Sequence, residues 1–180
     1  MTPTNYAILP FYRYFDFKGR SSRSEFWWFT LLCFLVGILF FIISINTMPS
    51  FEEMTDPFYD DSWGLIDYVS ALWSLAVFIP SLSVSVRRLH DLNRTGWWLM
   101  AFIGGYFIST VLIIGGIVAI AASLALAMAG DINAAPASLG GAYVMIALGF
   151  GGLIGVFVWS IVWYAMPSVH QDNRFGPPTP

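Results

Sequence analysis

The sequence predicts an all-α integral membrane protein with four transmembrane helices, and three observations carry that expectation. First, only 11% of the 180 residues are charged while 57% are hydrophobic, whereas a soluble domain carries about 25% charged residues. Second, the mean hydropathy is +0.69. A globule of this length could not bury so much apolar surface, so the bilayer must act as solvent. Third, uncharged runs long enough to cross a hydrocarbon core of about 30 Å recur along the chain, separated by short polar segments.

Charge patterning predicts the threading. All eight basic residues fall in three places: a leader (Arg13, Lys18, Arg20, Arg23), a central turn (Arg87, Arg88, Arg94) and a tail (Arg174). The segment from Ser50 to Asp67 carries Glu52, Glu53, Asp56, Asp60, Asp61 and Asp67 with no Lys or Arg. With four spans the three basic segments share one side. The excess of Lys and Arg on cytoplasmic loops then puts both termini in the cytoplasm.

Taken in order, residues 1–25 read as a leader. Its aromatics (Tyr6, Phe11, Tyr12, Tyr14, Phe15, Phe17) alternate with charges, the pattern of an interfacial segment lying on the membrane. Ser22 and Glu25 have capping-box spacing, which starts a helix near Arg23 and gives Glu25 a capping role. The first span covers about 26–45, with Trp27 and Trp28 at its inner edge. The acidic loop follows; its spacing matches no EF-hand pattern, so a solvated loop is expected in place of a calcium site. The second span covers about 68–86 and contains Pro80, which should kink it. At 100° per residue, Ser70, Ser74, Ser81 and Ser85 share one face. That stripe is read first as helix packing and second as the wall of a polar pathway. The third run, about 97–129, is too long for one untilted span and too short for two, so it reads as one long or tilted helix beginning at Thr95 or Trp97. GDINAAPASL (residues 130–139) reads as a turn. The last span, about 140–166, is glycine-rich; Gly151 and Gly155 form a G-x-x-x-G pair suited to close helix contact. Trp159, Trp163 and Tyr164 read as its interfacial belt, and the Pro-rich tail 167–180 as extended.

The densest polar stretch is RRLHDLNRTGWW, Arg87 to Trp98. Arg87 and Arg88 lie four and three residues before Asp91, within pairing distance on a helix. Asn93 is the expected C-terminal cap and Thr95 the cap of the next helix. Glu25 is an available acid for Arg88 or Arg94. Arg20, Arg23, Glu25, Arg87, Arg88, His90, Asp91, Arg94, Trp97 and Trp98 are therefore the candidate residues for binding a lipid or a partner. Each basic residue near an anionic leaflet contributes about 1 kcal/mol.

Chemistry of other kinds finds little support. His90 beside Asp91 lacks the further His and Asp ligands of a metal-dependent hydrolase, since the remaining histidine is His170. No nucleophile–base pair, phosphate loop or dinucleotide glycine pattern occurs. No span carries Asp, Glu, Lys, Arg or His near its centre, unlike ion-coupled transporters. Cys33 is the single cysteine. No cofactor, metal or nucleic acid is expected.

At FDFKGRSSRSEFWWF (Phe15 to Phe29) and VRRLHDLNRTGWW (Val86 to Trp98) the chain resembles the small bacterial inner-membrane proteins of the YhaH/YhaI type, a domain of unknown function. The resemblance covers nearly the whole chain. It implies a multi-pass protein of the bacterial inner membrane and no established activity, so no catalytic residue carries over. The family's Gly/Pro-rich ending appears only loosely here, as NRFGPPTP.

The expected function is a non-enzymatic module that binds anionic lipid, a protein partner or a second copy through a cytoplasmic Arg/Trp face. The alternative is a small-solute channel or facilitator lined by Ser70, Ser74, Ser81 and Ser85. An enzyme acting on lipid headgroups would need Glu25, His90 and Asp91 to converge on one pocket.

Overall fold

The computed structural model describes residues 2–48, 64–130 and 135–178, with the side chains of 135–138 left aside. Its helices, in chain order, are α1 (Pro3–Tyr12), α2 (Arg23–Asn46), α3 (Leu65–Asp91), α4 (Trp97–Met128) and α5 (Ala135–Ala165). Among the described residues, four stretches are long and apolar enough to cross a membrane: Arg23–Thr47, Leu65–Asp91, Trp97–Met128 and Leu139–Ala165. Side chains such as Phe34, Phe41, Leu72, Leu75, Phe107 and Ile154 stand exposed along them. That pattern suits a protein whose solvent is lipid.

The chain divides into two compact units, residues 1–94 with 167–180, and residues 95–166. In the first, α1 and α2 form a helical hairpin. Pro3 occupies the first turn of α1, where a missing N–H costs nothing. Ser22 caps α2, its hydroxyl accepting the Glu25 N–H at 3.2 Å. Phe11 packs edge-on against Phe29 with centroids 5.5 Å apart, and Pro3, Thr4 and Ala7 share a groove with Trp28, Leu31, Leu32 and Leu35. The end of α1 therefore meets the start of α2, and its beginning reaches the middle of α2. The leader is thus two different things. Its charges begin only at Arg13, which frees the uncharged residues 3–12 to fold back onto α2.

Helix α3 begins earlier than the acidic loop suggested. Asp67 lies in its first turn and accepts the Gly64 N–H at 2.9 Å. The rest of the acidic loop, through Trp63, lies outside the described residues. Helix α3 runs on through Pro80 to Asp91. It ends in a Schellman motif: Asn93, at φ 58°, donates its N–H to the His90 carbonyl, and Arg94 donates to Leu89, both at 2.9 Å. Asparagine tolerates this left-handed conformation, so the expected cap at Asn93 forms.

In the second unit α4 is one 32-residue helix. The cap expected from Thr95 is absent: Gly96 holds the N-cap position and no side chain caps it. Thr95 contributes only its carbonyl, to the Trp98 N–H at 3.2 Å. Helix α5 begins at Ala135, inside the segment expected to be a turn. Pro136 is compatible with a first helical turn, which is why the proline did not delay it. Helices α4 and α5 pack antiparallel through small residues. A Cβ on Gly116 would lie 2.8 Å from the Ala142 carbonyl oxygen, and one on Gly149 would lie 2.8 Å from that of Ser109. The anticipated pair, Gly151 and Gly155, is not used in this contact; both face open space. The contacting face of α5 is instead the one carrying Gly149 and Gly152. Trp159, Trp163 and Tyr164 pack around Phe102 of α4, with Trp98 against the two tryptophans at 5.8 and 4.9 Å.

Candidate functional site

The polar residues of the first unit gather where the α1–α2 connection, the end of α3 and the tail meet. Asp91 sits at its centre, fully buried. Arg20 donates from Nε to Asp91 Oδ1 at 2.8 Å. Arg88, one turn back on α3, donates from Nη1 to Oδ2. The sequence anticipated the Arg88–Asp91 pair, but the long-range partner Arg20 carried no local signal.

The tail closes over this cluster. Arg20 donates to the carbonyls of Gln171 (3.0 Å), Gly176 (3.4 Å) and Val169. Arg88 reaches Ser168 Oγ at 3.3 Å. Asn173 donates its side-chain amide to the His90 carbonyl, and Arg174 donates to that of Asn93. Phe175 stacks on the His90 ring with centroids 3.8 Å apart and planes 5° from parallel. Asn173 and Gly176 bond reciprocally across a tight turn. The tail, expected to be extended, is a docked hook. The buried guanidinium of Arg20 needs several acceptors, and backbone carbonyls supply them without adding charge.

A second cluster lies beside the first. The Arg87 guanidinium, expected to reach Asp91, points to Glu25 instead, with Nη2 3.0 Å from Oε1. Glu25 thereby corrects two expectations. Its backbone takes the Ser22 cap, but its carboxylate is spent on Arg87, and neither Arg88 nor Arg94 is its partner. The Arg87–Glu25 contact is an ion pair without hydrogen-bond geometry; Oε1 of Glu25, both Nη atoms of Arg87 and Oγ of Ser21 make no hydrogen bond. Arg87 donates only from Nε, to the Ser83 carbonyl at 3.4 Å. Arg13 approaches Glu25 at 3.9 Å and makes a two-donor contact with Asp16. Burial raises the Asp16 carboxyl, but hydrogen bonds from Arg13 and the Lys18 amide, with the charges of Arg13 and Arg87, outweigh it and hold its pKa below the usual value. Ser83, fully buried with its hydroxyl near the Arg13 and Pro80 carbonyls, was outside the serine stripe read from the sequence.

This sorts the candidate residues. Arg20, Glu25, Arg87, Arg88 and Asp91 are interior and bound to one another. His90 is held between Phe175 and the Gly19 carbonyl, 3.2 Å from Nδ1, which must therefore carry the proton. Arg23 is exposed, as is Lys18, and neither makes an ion pair among the described residues. Arg94 is exposed; in the other unit Trp97 is 80% exposed and Trp98 half-buried. Of the stripe, Ser70, Ser74 and Ser81 each donate to a carbonyl of their own helix three or four residues back. Ser85 is half-buried. No group of three metal-ligating side chains occurs among the described residues.

Four apolar helices and a polar end locked by buried ion pairs define a multi-pass membrane protein. Residues 14–177 match the family described as Protein of unknown function (DUF805), and the chain belongs to it. It is similar to Inner membrane protein YhaI of Escherichia coli, strain K12, with 36% identity over 89 residues, 49% of this chain and 63% of that protein. Inner membrane protein YhaH of the same strain is 30% identical over 92 residues, 50% of this chain and 65% of YhaH. The chain thus matches less than two thirds of the length of either relative. These relatives and the four spans make it a protein of the inner membrane. No solved structure matches it.

Proposed function

We propose that this protein is a non-enzymatic membrane module whose basic, aromatic end faces the cytoplasm and binds anionic phospholipid headgroups. The observation that carries the reading is the division of labour among its cations. Arg20, Arg87 and Arg88 are buried and held by Asp91 and Glu25, while Lys18 and Arg23 stand exposed and, among the described residues, without an acid partner. Exposed Tyr12, Phe15, Trp27 and Trp28 flank them, the combination that settles at a headgroup layer. Against a headgroup-cleaving enzyme, Glu25, His90 and Asp91 are each held by a different set of partners. Against a serine-lined pathway, three hydroxyls of the stripe already donate within their own helix.

The test is native purification followed by mass spectrometry of bound lipid. The Lys18→Glu/Arg23→Glu variant should lose phosphatidylglycerol and cardiolipin relative to the parent. Equal lipid content in the two proteins refutes the reading. A C-terminal reporter that fluoresces only in the cytoplasm checks the orientation.

A further inference from the structure

We propose that the groove between α1 and α2 holds one acyl chain of an anionic phospholipid whose phosphate lies at Lys18 and Arg23; the phosphate half of this rests on the headgroup reading above. The groove has a volume of about 150 Å³ and is lined by Pro3, Thr4 and Ala7 on one side and Trp28, Leu31, Leu32 and Leu35 on the other. Its lining is almost wholly apolar, so the groove favours hydrocarbon over water. Its α2 wall lies wholly within the candidate span Arg23–Thr47, so hydrocarbon is what surrounds it.

Position decides which hydrocarbon. At 1.5 Å per residue, Trp28 lies about 7 Å and Leu35 about 18 Å along α2 from Arg23. With Arg23 at the headgroup layer, the groove occupies the near half of a hydrocarbon core about 30 Å thick. That is the depth of a chain from the leaflet whose phosphates reach Arg23. Lys18 lies in the connection between α1 and α2, and Arg23 opens α2 at the same end of the hairpin. Two cations that form no ion pair among the described residues, at the polar end of an apolar groove, complement a phosphate joined to an acyl chain. A lipid of no net charge would leave both positive charges unbalanced there, whereas an anionic phosphate offsets one of them. In this arrangement α1 is no surface helix: it dips into the leaflet, and the bound chain fills the gap between it and α2.

The experiment uses the full chain in mild detergent, with phosphatidylglycerol added, and reads retained lipid by native mass spectrometry. Ala7→Trp fills the groove and leaves Lys18 and Arg23 in place; retention should fall at least fivefold. A photoreactive residue in place of Leu32 should also crosslink to the acyl chain of the added lipid. Unchanged retention in Ala7→Trp together with no acyl crosslink overturns the groove assignment. If Lys18→Glu/Arg23→Glu still loses lipid in that case, the headgroup reading survives alone. If it too retains lipid, both fail. Should Ala7→Trp not fold, the crosslink at position 32 decides by itself.

Discussion

Arg20 and Asp91, 71 residues apart in the chain, meet at 2.8 Å with both side chains almost wholly removed from solvent. One carboxylate thus serves two guanidinium groups, Arg20 and Arg88, and the tail carbonyls complete the coordination of Arg20. The positive charge of Arg20 is shared with the carbonyl dipoles of the tail. That makes Asp91 the residue on which the polar end of the first unit depends.

Asp91→Ala should therefore be among the most damaging single changes. It removes the carboxylate that two buried guanidinium groups share, a loss of about 3–5 kcal/mol where one member of a buried ionic cluster is removed. Thermal unfolding in detergent measures it. The triple variant Arg20→Met/Asp91→Leu/Arg88→Met should be less destabilised than Asp91→Ala, because no stranded charge remains. The opposite order would mean that the cluster acts through shape and not charge.

The Glu25–Arg87 pair gives a second, independent cycle. Its ion contact lacks hydrogen-bond geometry, and Oε1 of Glu25 and both Nη atoms of Arg87 carry no hydrogen bond. Desolvation is thus poorly offset, and Glu25→Leu/Arg87→Met should lie within about 1 kcal/mol of the parent. Either single change should cost several times more. A double-mutant cycle read by unfolding in SDS–detergent mixtures checks the ratio.

Asp16 predicts a pH dependence with a defined sign. Its folded pKa lies below that of an ordinary aspartate. The group therefore contributes stability that is present above the unfolded pKa and is lost as pH falls through the folded one. Wild type and Asp16→Asn should differ in melting temperature at pH 7. The difference should shrink below about pH 4 and vanish in stronger acid. A gap that persists unchanged at pH 2 would assign the effect to packing and not to charge.

The tail hook gives a prediction with a local readout. Phe175→Ala removes the stack on His90 and should cost about 1 kcal/mol. Removing residues 168–180 also strips Arg20 of its carbonyl acceptors and should cost more, roughly 1–3 kcal/mol for a buried donor set left unsatisfied. Hydrogen exchange should accelerate at the amide of Ser21, which donates to the Arg87 carbonyl at 3.1 Å. Unchanged exchange there would show that the hook only rests on the surface.

These sites differ in how legible they were from sequence, and the difference follows sequence distance. The spans, the Ser22 cap, the Asn93 cap and the Arg88–Asp91 pair rest on periodicity or on residues three or four apart, which a helix brings together by its own geometry. Arg20 with Asp91, Glu25 with Arg87, and Phe175 on His90 join segments that only tertiary folding makes neighbours. Asp91 can accept from Arg87 or Arg88 at helical spacing, and nothing local says that Glu25 will claim Arg87. The tail misled for a related reason: its prolines argue against regular structure, but they say nothing about carbonyls that dock onto a buried arginine. The groove between α1 and α2 was hidden because aromatics continue past Tyr12, and the change from apolar helix to charged turn is marked only by where the charges begin.

The α4–α5 contact separates glycines that look alike in sequence. On Gly116 a new Cβ would meet Ile146 at 2.5 Å and the Ala142 carbonyl at 2.8 Å, and on Gly149 it would meet the Ser109 carbonyl at 2.8 Å. Backbone atoms of a paired helix cannot step aside singly, so Gly116→Ala and Gly149→Ala must push the helices apart. Overpacking of this kind costs about 1–3 kcal/mol. Around Gly151 and Gly155 nothing lies within 4 Å, so alanine there should change stability by no more than about 0.5 kcal/mol. Thermal unfolding of the four single variants in one detergent makes the comparison. Equal losses at all four positions would show that the helices meet through a different face of α5.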